Sequence, residues 1–203
     1  MPHEIDWFQH YNSKLASLDF KKTDLNKFKR QNKALLRKII SFKPRRIIEV
    51  GCGLARDSFV LASKGFDVTV LDRDPRILQL AKKNSKNLGL HLKIIKGIFF
   101  HLQKTVKSSY DVVFHSGALE HFDDKDVVKI LRNQLEVAPV IVFSVPLKSR
   151  FNEKYFRGKE KVFRRLLSKK AWLKILSGFC VARARLVHDR HDDLLLVLIR
   201  ERH

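Results

Sequence analysis

The sequence predicts an α/β domain built on a doubly wound, seven-stranded mixed sheet. Short apolar runs alternate with helical stretches over most of the 203 residues, and glycines follow the first run. The last two apolar runs are joined only by a short polar segment. Alternating strands and helices are typical of a parallel sheet covered on both faces, whereas so short a link favours an antiparallel pair.

The composition is that of a globular, strongly basic protein. The chain has 42 Lys and Arg against 21 Asp and Glu residues, a formal net charge of +21, and 44% of its residues are hydrophobic. That apolar content is enough for a sizeable core. Its two cysteines, Cys52 and Cys180, lie far apart, so no disulfide framework or zinc cluster is expected. No apolar run is long enough to span a bilayer and no secretory signal is evident, so we expect a cytoplasmic protein without a membrane span.

The positive charge is concentrated in two segments. Residues 21–46 hold eleven Lys and Arg residues and one acid, and residues 148–174 hold eleven against two. The intervening part of the chain is nearly balanced. Two interpretations stay open: the segments are solvated helix faces, or folding brings them together to attract a polyanion such as RNA or an acidic small substrate.

The elements follow one another in a regular order. An amphipathic helix is expected from Asp24 to just before Lys43, which divides the chain into a basic N-terminal helical extension, residues 1–43, and a main domain, residues 44–203. The expected strands are the seven apolar runs 46–50, 67–71, 91–96, 110–114, 140–144, 179–187 and 194–200. The helices expected between them are 57–64, 75–87 and about 124–137.

The first strand ends in a glycine turn, Gly51-Cys-Gly53, that precedes a helix. Glycine lets a ligand approach the backbone closely, and the helix start offers free N–H groups at the carboxyl edge of the sheet. Asp72 ends the second strand at the spacing from Gly53 that lets a carboxylate reach the hydroxyls of a ribose. A nucleotide-like ligand is therefore predicted. Arg56 occupies the third glycine position of a dinucleotide fingerprint, which disfavours a nicotinamide cofactor.

The run from Glu49 to Asp57, Glu-Val-Gly-Cys-Gly-Leu-Ala-Arg-Asp, with Asp72 downstream, resembles the class I S-adenosylmethionine-dependent methyltransferases. The resemblance extends from about Ile47 to the C-terminus and includes the terminal strand pair. It implies a Rossmann-like fold, S-adenosyl-L-methionine as the cofactor and methyl transfer as the reaction.

The resemblance also implies roles for particular cofactor-binding residues. Glu49 matches the acid near the methionine moiety, Gly51 and Gly53 match the loop beneath it, and Asp72 matches the acid that binds the ribose. His115 belongs to a stretch, residues 114–122, that resembles the segment lining the methyl-donor pocket.

Two positions depart from the family pattern. Ala55 replaces the usual third glycine, which a turn tolerates only if the local φ is negative. Ile98 stands where members place an acid beside the adenine, so recognition of the base is expected to fall to backbone groups or to Phe99. These departures keep an alternative open, in which the chain is a non-catalytic, basic RNA-binding module on a decayed methyltransferase fold.

Candidate catalytic residues are His115 and His121, because a neutral imidazole can accept the proton of an acceptor's hydroxyl or amine. The structural alternative is that His121 caps or packs the following helix. Lys148, Arg150 and Tyr155 follow the fifth strand, where the family places acceptor contacts, and are the candidate substrate-binding residues. They are also compatible with an exposed helix face. No metal site is expected.

We therefore predict methyl transfer to an unidentified acceptor, either a small molecule or RNA, and expect that acceptor to be anionic. In this family the segments before the first strand and after the fifth flank the acceptor mouth. These are the two basic segments, residues 21–46 and 148–174.

Overall fold

The computed structural model describes residues 6–12, 19–107, 109–157 and 164–201. Its seven strands are β1 (Arg46–Val50), β2 (Asp67–Asp72), β3 (Lys93–Lys96), β4 (Val112–Ser116), β5 (Val140–Pro146), β6 (Cys180–Val187) and β7 (Asp193–Ile199). Its helices are α1 (Trp7–Asn12), α2 (Asp24–Gln31), α3 (Lys33–Ser41), α4 (Arg56–Ala62), α5 (Pro75–Leu88), α6 (Leu102–Thr105), α7 (Asp124–Val137), α8 (Arg150–Phe156) and α9 (Lys169–Ile175).

The strands form one sheet in the order β3-β2-β1-β4-β5-β7-β6. All pairs are parallel except β5 with β7 and β6 with β7, which are antiparallel. The chain therefore winds outward from β1 in one direction, then crosses to β4 and winds outward in the other. Ligands of such sheets bind at the carboxyl ends of the strands where this reversal occurs, which here lies between β1 and β4. The predicted doubly wound, seven-stranded mixed sheet is confirmed.

Two of the longer helices begin at side-chain caps that the sequence supplies. The Asp74 carboxylate accepts a hydrogen bond from the backbone N–H of Arg76, and Pro75 is the first residue of α5. The Asp123 carboxylate caps α7 in the same way, accepting from the N–H of Asp126. Each cap satisfies a backbone donor that the first helical turn leaves without a partner. Gly89, at φ +66°, ends α5 in the left-handed conformation common after helices.

The core lies on both faces of the sheet. Ile47 of β1 packs into a cluster with residues of α2 to α5, while the adjacent Ile48 packs into a second cluster with residues of α6, α7 and α9. Successive side chains of a strand point to opposite faces, so one short apolar run contributes to both layers. The two helical layers hold the strand ends, and thus the site, in a fixed position.

The N-terminal helical segment differs from the single helix that its periodicity predicts. It forms two helices, α2 and α3, that meet at Asn32, whose backbone leaves the helical region with φ −133° and ψ 43°. The Asn32 side-chain amide donates a hydrogen bond to Asp57 Oδ2 at 2.6 Å. This contact with a distant residue accompanies the break. The predicted division at residues 43 and 44 falls in the connection between α3 and β1.

Within the described ranges, no helix combines the length and the apolar character needed to cross a bilayer.

Candidate functional site

A cavity of about 320 Å³ lies at the carboxyl ends of β1, β2 and β4 and is called here the first cavity. Its floor includes Gly51 and Gly53 of the turn after β1, together with Asp72 at the end of β2. Ile98 and His121 belong to its walls as well. The structure thus brings together five of the residues that the sequence singles out.

Asp72 is held in place by the backbone around it. Its Oδ2 accepts a hydrogen bond from the Gly53 N–H at 3.2 Å, and its Oδ1 accepts one from the Asp74 N–H at 3.1 Å. Burial raises the pKa of Asp72, and the backbone N–H groups of Asp74 and Gly53 oppose that rise. The carboxylate is therefore fixed in orientation at the wall of the cavity, where it can accept hydrogen bonds from a pair of vicinal hydroxyls.

The glycine turn after β1 adopts the left-handed backbone conformation that glycine permits. Gly51 and Gly53 have φ values of +64° and +50°. Ala55 has φ +52°, so the expectation that alanine would enforce a negative φ there is wrong. The turn keeps its left-handed geometry, and the fully buried Ala55, which is the N-cap of α4, carries the steric cost.

Helix α1 forms a roof over the first cavity. Trp7 and Tyr11 line it, and the Trp7 ring meets the His121 ring edge-on at a centroid distance of 4.9 Å. The start of the helix is tied to α5, because the Arg76 guanidinium bonds to the Asp6 carboxylate at 2.8 Å. The N-terminal extension therefore contributes directly to the site. No motif in the sequence marked Trp7 or Tyr11.

A larger cavity of about 980 Å³, called here the second cavity, adjoins the first. The two share five wall residues, namely Trp7, Tyr11, Gly51, Ser116 and Gly117. The other walls of the second cavity include residues of α2, the start of α4, α8 and the β6–β7 connection. The two adjacent cavities lie at the carboxyl ends of the strands, where the winding direction of the chain reverses between β1 and β4.

Buried acids lie where the two cavities meet. Glu49, in the wall of the second cavity, accepts a hydrogen bond from the Ser58 hydroxyl at 2.5 Å. Burial and then the nearby Asp57 carboxylate raise the pKa of Glu49 well above its ordinary value. Burial likewise raises the pKa of Asp57 to about 6, against the lowering effect of its hydrogen bond from Asn32. A ligand that brings positive charge to this corner would favour ionisation of both carboxyl groups.

The two candidate histidines occupy different environments. His121 lines the first cavity, with its Nε2 3.7 Å from Glu120 Oε1. His115 is fully buried in β4, stacks on the Phe143 ring at 5.0 Å, and belongs to the walls of neither cavity. Burial lowers the pKa of His115 to about 3, and a hydrogen bond with Gln134 only partly opposes this. His115 is therefore neutral at physiological pH, and any role for it would act through β4 rather than at the cavity surface.

The three candidate substrate-binding residues are also divided. Tyr155 of α8 lines the second cavity. Lys148 and Arg150 are exposed and belong to the walls of neither cavity. Helix α8 is held by the buried Asn152, whose side-chain amide donates to the Asp192 carbonyl at 2.8 Å. This bond fixes the position of Tyr155 relative to the β6–β7 connection.

Both basic segments reach the second cavity. Lys21 and Lys27 come from residues 21–46, and Arg164 comes from residues 148–174. Arg164 forms an ion pair with the fully buried Glu120. Arg190, from the β6–β7 connection, also lines the cavity. The part of residues 148–174 that spans 158–163 lies outside the described residues.

The described residues contain no group of three or more His, Cys, Asp or Glu side chains arranged to hold a metal ion. His188, in the β6–β7 connection, bonds to Asp192 Oδ1 at 2.7 Å.

Comparison with known proteins agrees with this geometry. Residues 47–138 match a family described as a methyltransferase domain. An uncharacterized methyltransferase, YodH, from Bacillus subtilis (strain 168) is 34% identical over 71 residues. That alignment covers 35% of this chain and only 30% of the relative.

Solved structures share the fold over a larger part of the chain. Magnesium protoporphyrin IX methyltransferase from Synechocystis PCC 6803, with bound SAH, superposes with a TM-score of 0.70 at 17% identity and covers 96% of this chain and 94% of that chain. The mitomycin 7-O-methyltransferase MmcR superposes with a TM-score of 0.68 at 20% identity, covering 83% of this chain and 53% of that chain. Residues 47–138 are thus similar to a methyltransferase-domain family, and the chain has the fold of solved methyltransferases.

Proposed function

We propose that the protein binds S-adenosyl-L-methionine in the first cavity and transfers its methyl group to an acceptor in the second. The observation that carries this proposal is the adjacency of the two cavities across Gly51, Ser116 and Gly117, with Asp72 fixed at the far wall of the first. Adjacent binding volumes hold donor and acceptor in line, and such positioning is the main contribution an enzyme makes to a two-substrate transfer.

In this proposal each part of the first cavity has a task. The Asp72 carboxylate accepts hydrogen bonds from the two ribose hydroxyls. Gly51 and Gly53 leave room for the ligand against the backbone, because neither carries a Cβ. Ile98 contributes an apolar wall for the adenine. Glu49 lies in the wall of the second cavity, two residues before the shared Gly51, and is assigned to the cationic methionine end where the donor approaches the junction. When bound, the donor supplies an activated methyl group on a sulfonium, which is a good leaving group.

The surrounding residues favour transfer by orientation and by exclusion of water. Trp7 and Tyr11 cover the junction of the two cavities. His121 lies at the wall of the first cavity and not of the second, so its imidazole accepts the acceptor's proton only if the reacting atom of the acceptor reaches through the junction toward the methyl group. We propose His121 as this base. We also propose that residues 1–43 are an extension of the domain formed by residues 44–203, with α1 completing its site.

The size and charge of the second cavity support a small, anionic acceptor. A volume of about 980 Å³ is at the upper end of what a drug-sized molecule fills. Among the described residues, its walls hold five Lys and Arg side chains, three of them from the two basic segments, beside six Asp and Glu side chains. Burial raises the pKa of three of these acids, Glu49, Asp57 and Asp193, and so reduces their negative charge. The alternative of a decayed, non-catalytic module is not favoured, because the glycine turn, Asp72 and the first cavity are all retained.

The experiment is a transfer assay with donor labelled in the methyl group. The purified protein is incubated with this donor and, separately, with acidic small-molecule extracts and total RNA. We expect label in one acidic small-molecule fraction with the wild-type protein and none with Asp72→Ala. Label in RNA alone would show that the acceptor is a nucleic acid and not a small molecule. The absence of transfer to every fraction, together with no donor binding, would contradict the proposed function.

A further inference from the structure

We propose that Arg56 and Arg190 form an anion-binding subsite in the second cavity that holds a carboxylate or phosphate group of the methyl acceptor. This inference rests on the proposed function and deepens it, because it names the chemical class of the acceptor and two residues that select it.

Arg56 is a partly buried cation. It is the first residue of α4, directly after the glycine turn, and lines the second cavity. Its guanidinium lies 5.6 Å from the centre of the Phe28 ring, and its Nη1 is 3.5 Å from the side-chain oxygen of Gln31. Within the described ranges it forms no ion pair with a carboxylate. Burial is the largest cause that lowers the pKa of Arg56, and the charge of Arg190 is the next.

Arg190 reaches the same cavity from the β6–β7 connection. Its Nη2 lies 3.4 Å from the Tyr155 hydroxyl, and it too forms no ion pair among the residues that the structure describes. Two guanidinium groups thus repel each other across one cavity. Such an arrangement raises the free energy of the empty site and is relieved when an anion binds between the cations. Guanidinium groups also match the paired oxygens of carboxylates and phosphates in geometry.

Several carboxylates of this cavity are engaged with other partners, and the charges of Asp57 and Asp24 offset that of Arg56 only in part, because burial and Arg190 still lower the pKa of Arg56. Glu120 is paired with Arg164, and Asp19 with Lys83. Asp57 accepts from Asn32. Asp193 also lines this cavity, and burial raises its pKa to about 7, so it carries only part of a negative charge at neutral pH. The exposed Lys21 and Lys27 line the same cavity and add positive charge.

The position of the pair favours the acceptor over the donor as the source of the anion. Neither Arg56 nor Arg190 lines the first cavity, which holds Asp72 and the glycine floor. Arg190 and its neighbour Tyr155 belong to elements at the β5, β6 and β7 side of the sheet. The donor nevertheless has a carboxylate of its own, so the experiment must separate the two sources.

The test uses purified full-length protein saturated with S-adenosylhomocysteine, so that the donor site is filled. Inorganic pyrophosphate and benzoate are titrated into it by calorimetry as probes of phosphate and carboxylate binding. Arg56→Gln and Arg190→Gln are compared with Arg185→Gln, a control on the exposed strand β6 outside both cavities. We expect at least one probe to bind, and each of the first two substitutions to weaken it about fivefold or more. Arg185→Gln changes the affinity less than about twofold.

A second titration identifies the source of the anion. S-adenosylhomocysteine and 5′-methylthioadenosine, which lacks the amino-acid carboxylate, are titrated into each ligand-free variant. We expect Arg56→Gln and Arg190→Gln to leave both affinities unchanged. Weaker binding of S-adenosylhomocysteine with unchanged binding of 5′-methylthioadenosine would assign the pair to the donor and overturn the proposal.

Two further results would also overturn it. One is the absence of pyrophosphate and benzoate binding to the wild-type protein, and the other is an equal loss with Arg185→Gln. Because Arg190 is exposed, its substitution should leave the fold intact even if Arg56→Gln lowers stability. If the wild-type protein binds no S-adenosylhomocysteine at all, the proposed function fails, and the same probes titrated into ligand-free protein still decide the Arg56–Arg190 subsite separately.

Discussion

The Tyr11 side chain lies directly over Gly53. A Cβ atom at Gly53 would stand 2.5 Å from the Tyr11 hydroxyl oxygen and 3.0 Å from the adjoining ring carbon. Glycine is therefore required at this position for two independent reasons, its φ of +50° and the close approach of helix α1. The relationship links the N-terminal extension to the turn on which the proposed donor site is built.

Gly53→Ala should weaken donor binding and lower stability. The new methyl group meets the Tyr11 ring and adopts an unfavourable φ, which costs about 1–2 kcal/mol for the backbone alone. Tyr11→Ala in the same protein removes the steric part, so we expect the double variant to recover part of the lost affinity. Calorimetric titration with S-adenosylhomocysteine across the four proteins of this cycle measures the coupling. Strictly additive losses would show that Tyr11 and Gly53 do not interact.

Ala55→Gly should stabilise the protein. Ala55 has φ +52°, which is sterically unfavourable for alanine but not for glycine. Glycine also increases the conformational entropy of the unfolded chain, and this opposes the gain. We expect the steric contribution to be the larger one, so that the free energy of unfolding rises by about 0.5–1 kcal/mol. Ala81→Gly is the matched control, because Ala81 is equally buried but lies inside α5. There we expect a loss of about 1 kcal/mol or more. Urea unfolding of the three proteins measures both changes, and destabilisation by Ala55→Gly would contradict a strained turn.

Asp193→Asn should flatten the dependence of stability on pH. Burial raises the pKa of Asp193 from 3.8 to about 7 in the folded protein. Between these values the folded state binds more protons than the unfolded state, so the free energy of unfolding falls as pH rises. We expect the free energy of unfolding of the variant to lose this decline. The difference between variant and wild type should therefore be on the order of 2–4 kcal/mol more favourable to the variant at pH 7.5 than at pH 4. Chemical denaturation at both pH values tests it, with the exposed Glu153→Gln as control; parallel profiles for wild type and Asp193→Asn would refute it.

His121→Gln should slow methyl transfer by about 10²-fold or more while leaving donor affinity within about twofold. His121 lines the first cavity, whereas His115 lies in β4 outside both cavity walls. His115→Gln should therefore lower stability without a comparable loss of turnover per folded molecule. Single-turnover rates with labelled donor and the identified acceptor separate the two. Equal rate losses for both variants would remove His121 from the role of base.

The sheet was predictable because each of its strands is a short apolar run bounded by polar or glycine-containing turns. Helix α7 agrees with its predicted span, 124–137, because both its cap, Asp123, and its apolar periodicity are local features. The break at Asn32 was not predictable in this way. It accompanies a hydrogen bond to Asp57, which is distant in sequence, and helical periodicity continues across it.

The donor side of the site was also predictable in part. Gly51, Gly53 and Asp72 are local signals at the ends of two adjacent parallel strands, and the topology brings them together. Tyr11 carried no such signal, because a lone aromatic residue in a helical extension is equally consistent with a packing role. Arg190 gave none either, since only the folding of the β6–β7 connection places it near Arg56.

The most direct test of the central claim is calorimetric titration of S-adenosylhomocysteine into the wild-type protein and into Asp72→Ala. We expect micromolar binding to the wild type and a loss of about 100-fold in the variant, because two hydrogen bonds to a charged carboxylate are removed. Thermal unfolding confirms that both proteins are folded. Equal affinity in the two proteins, or no binding to a folded wild-type protein free of copurified ligand, would contradict the assignment of the first cavity to the methyl donor.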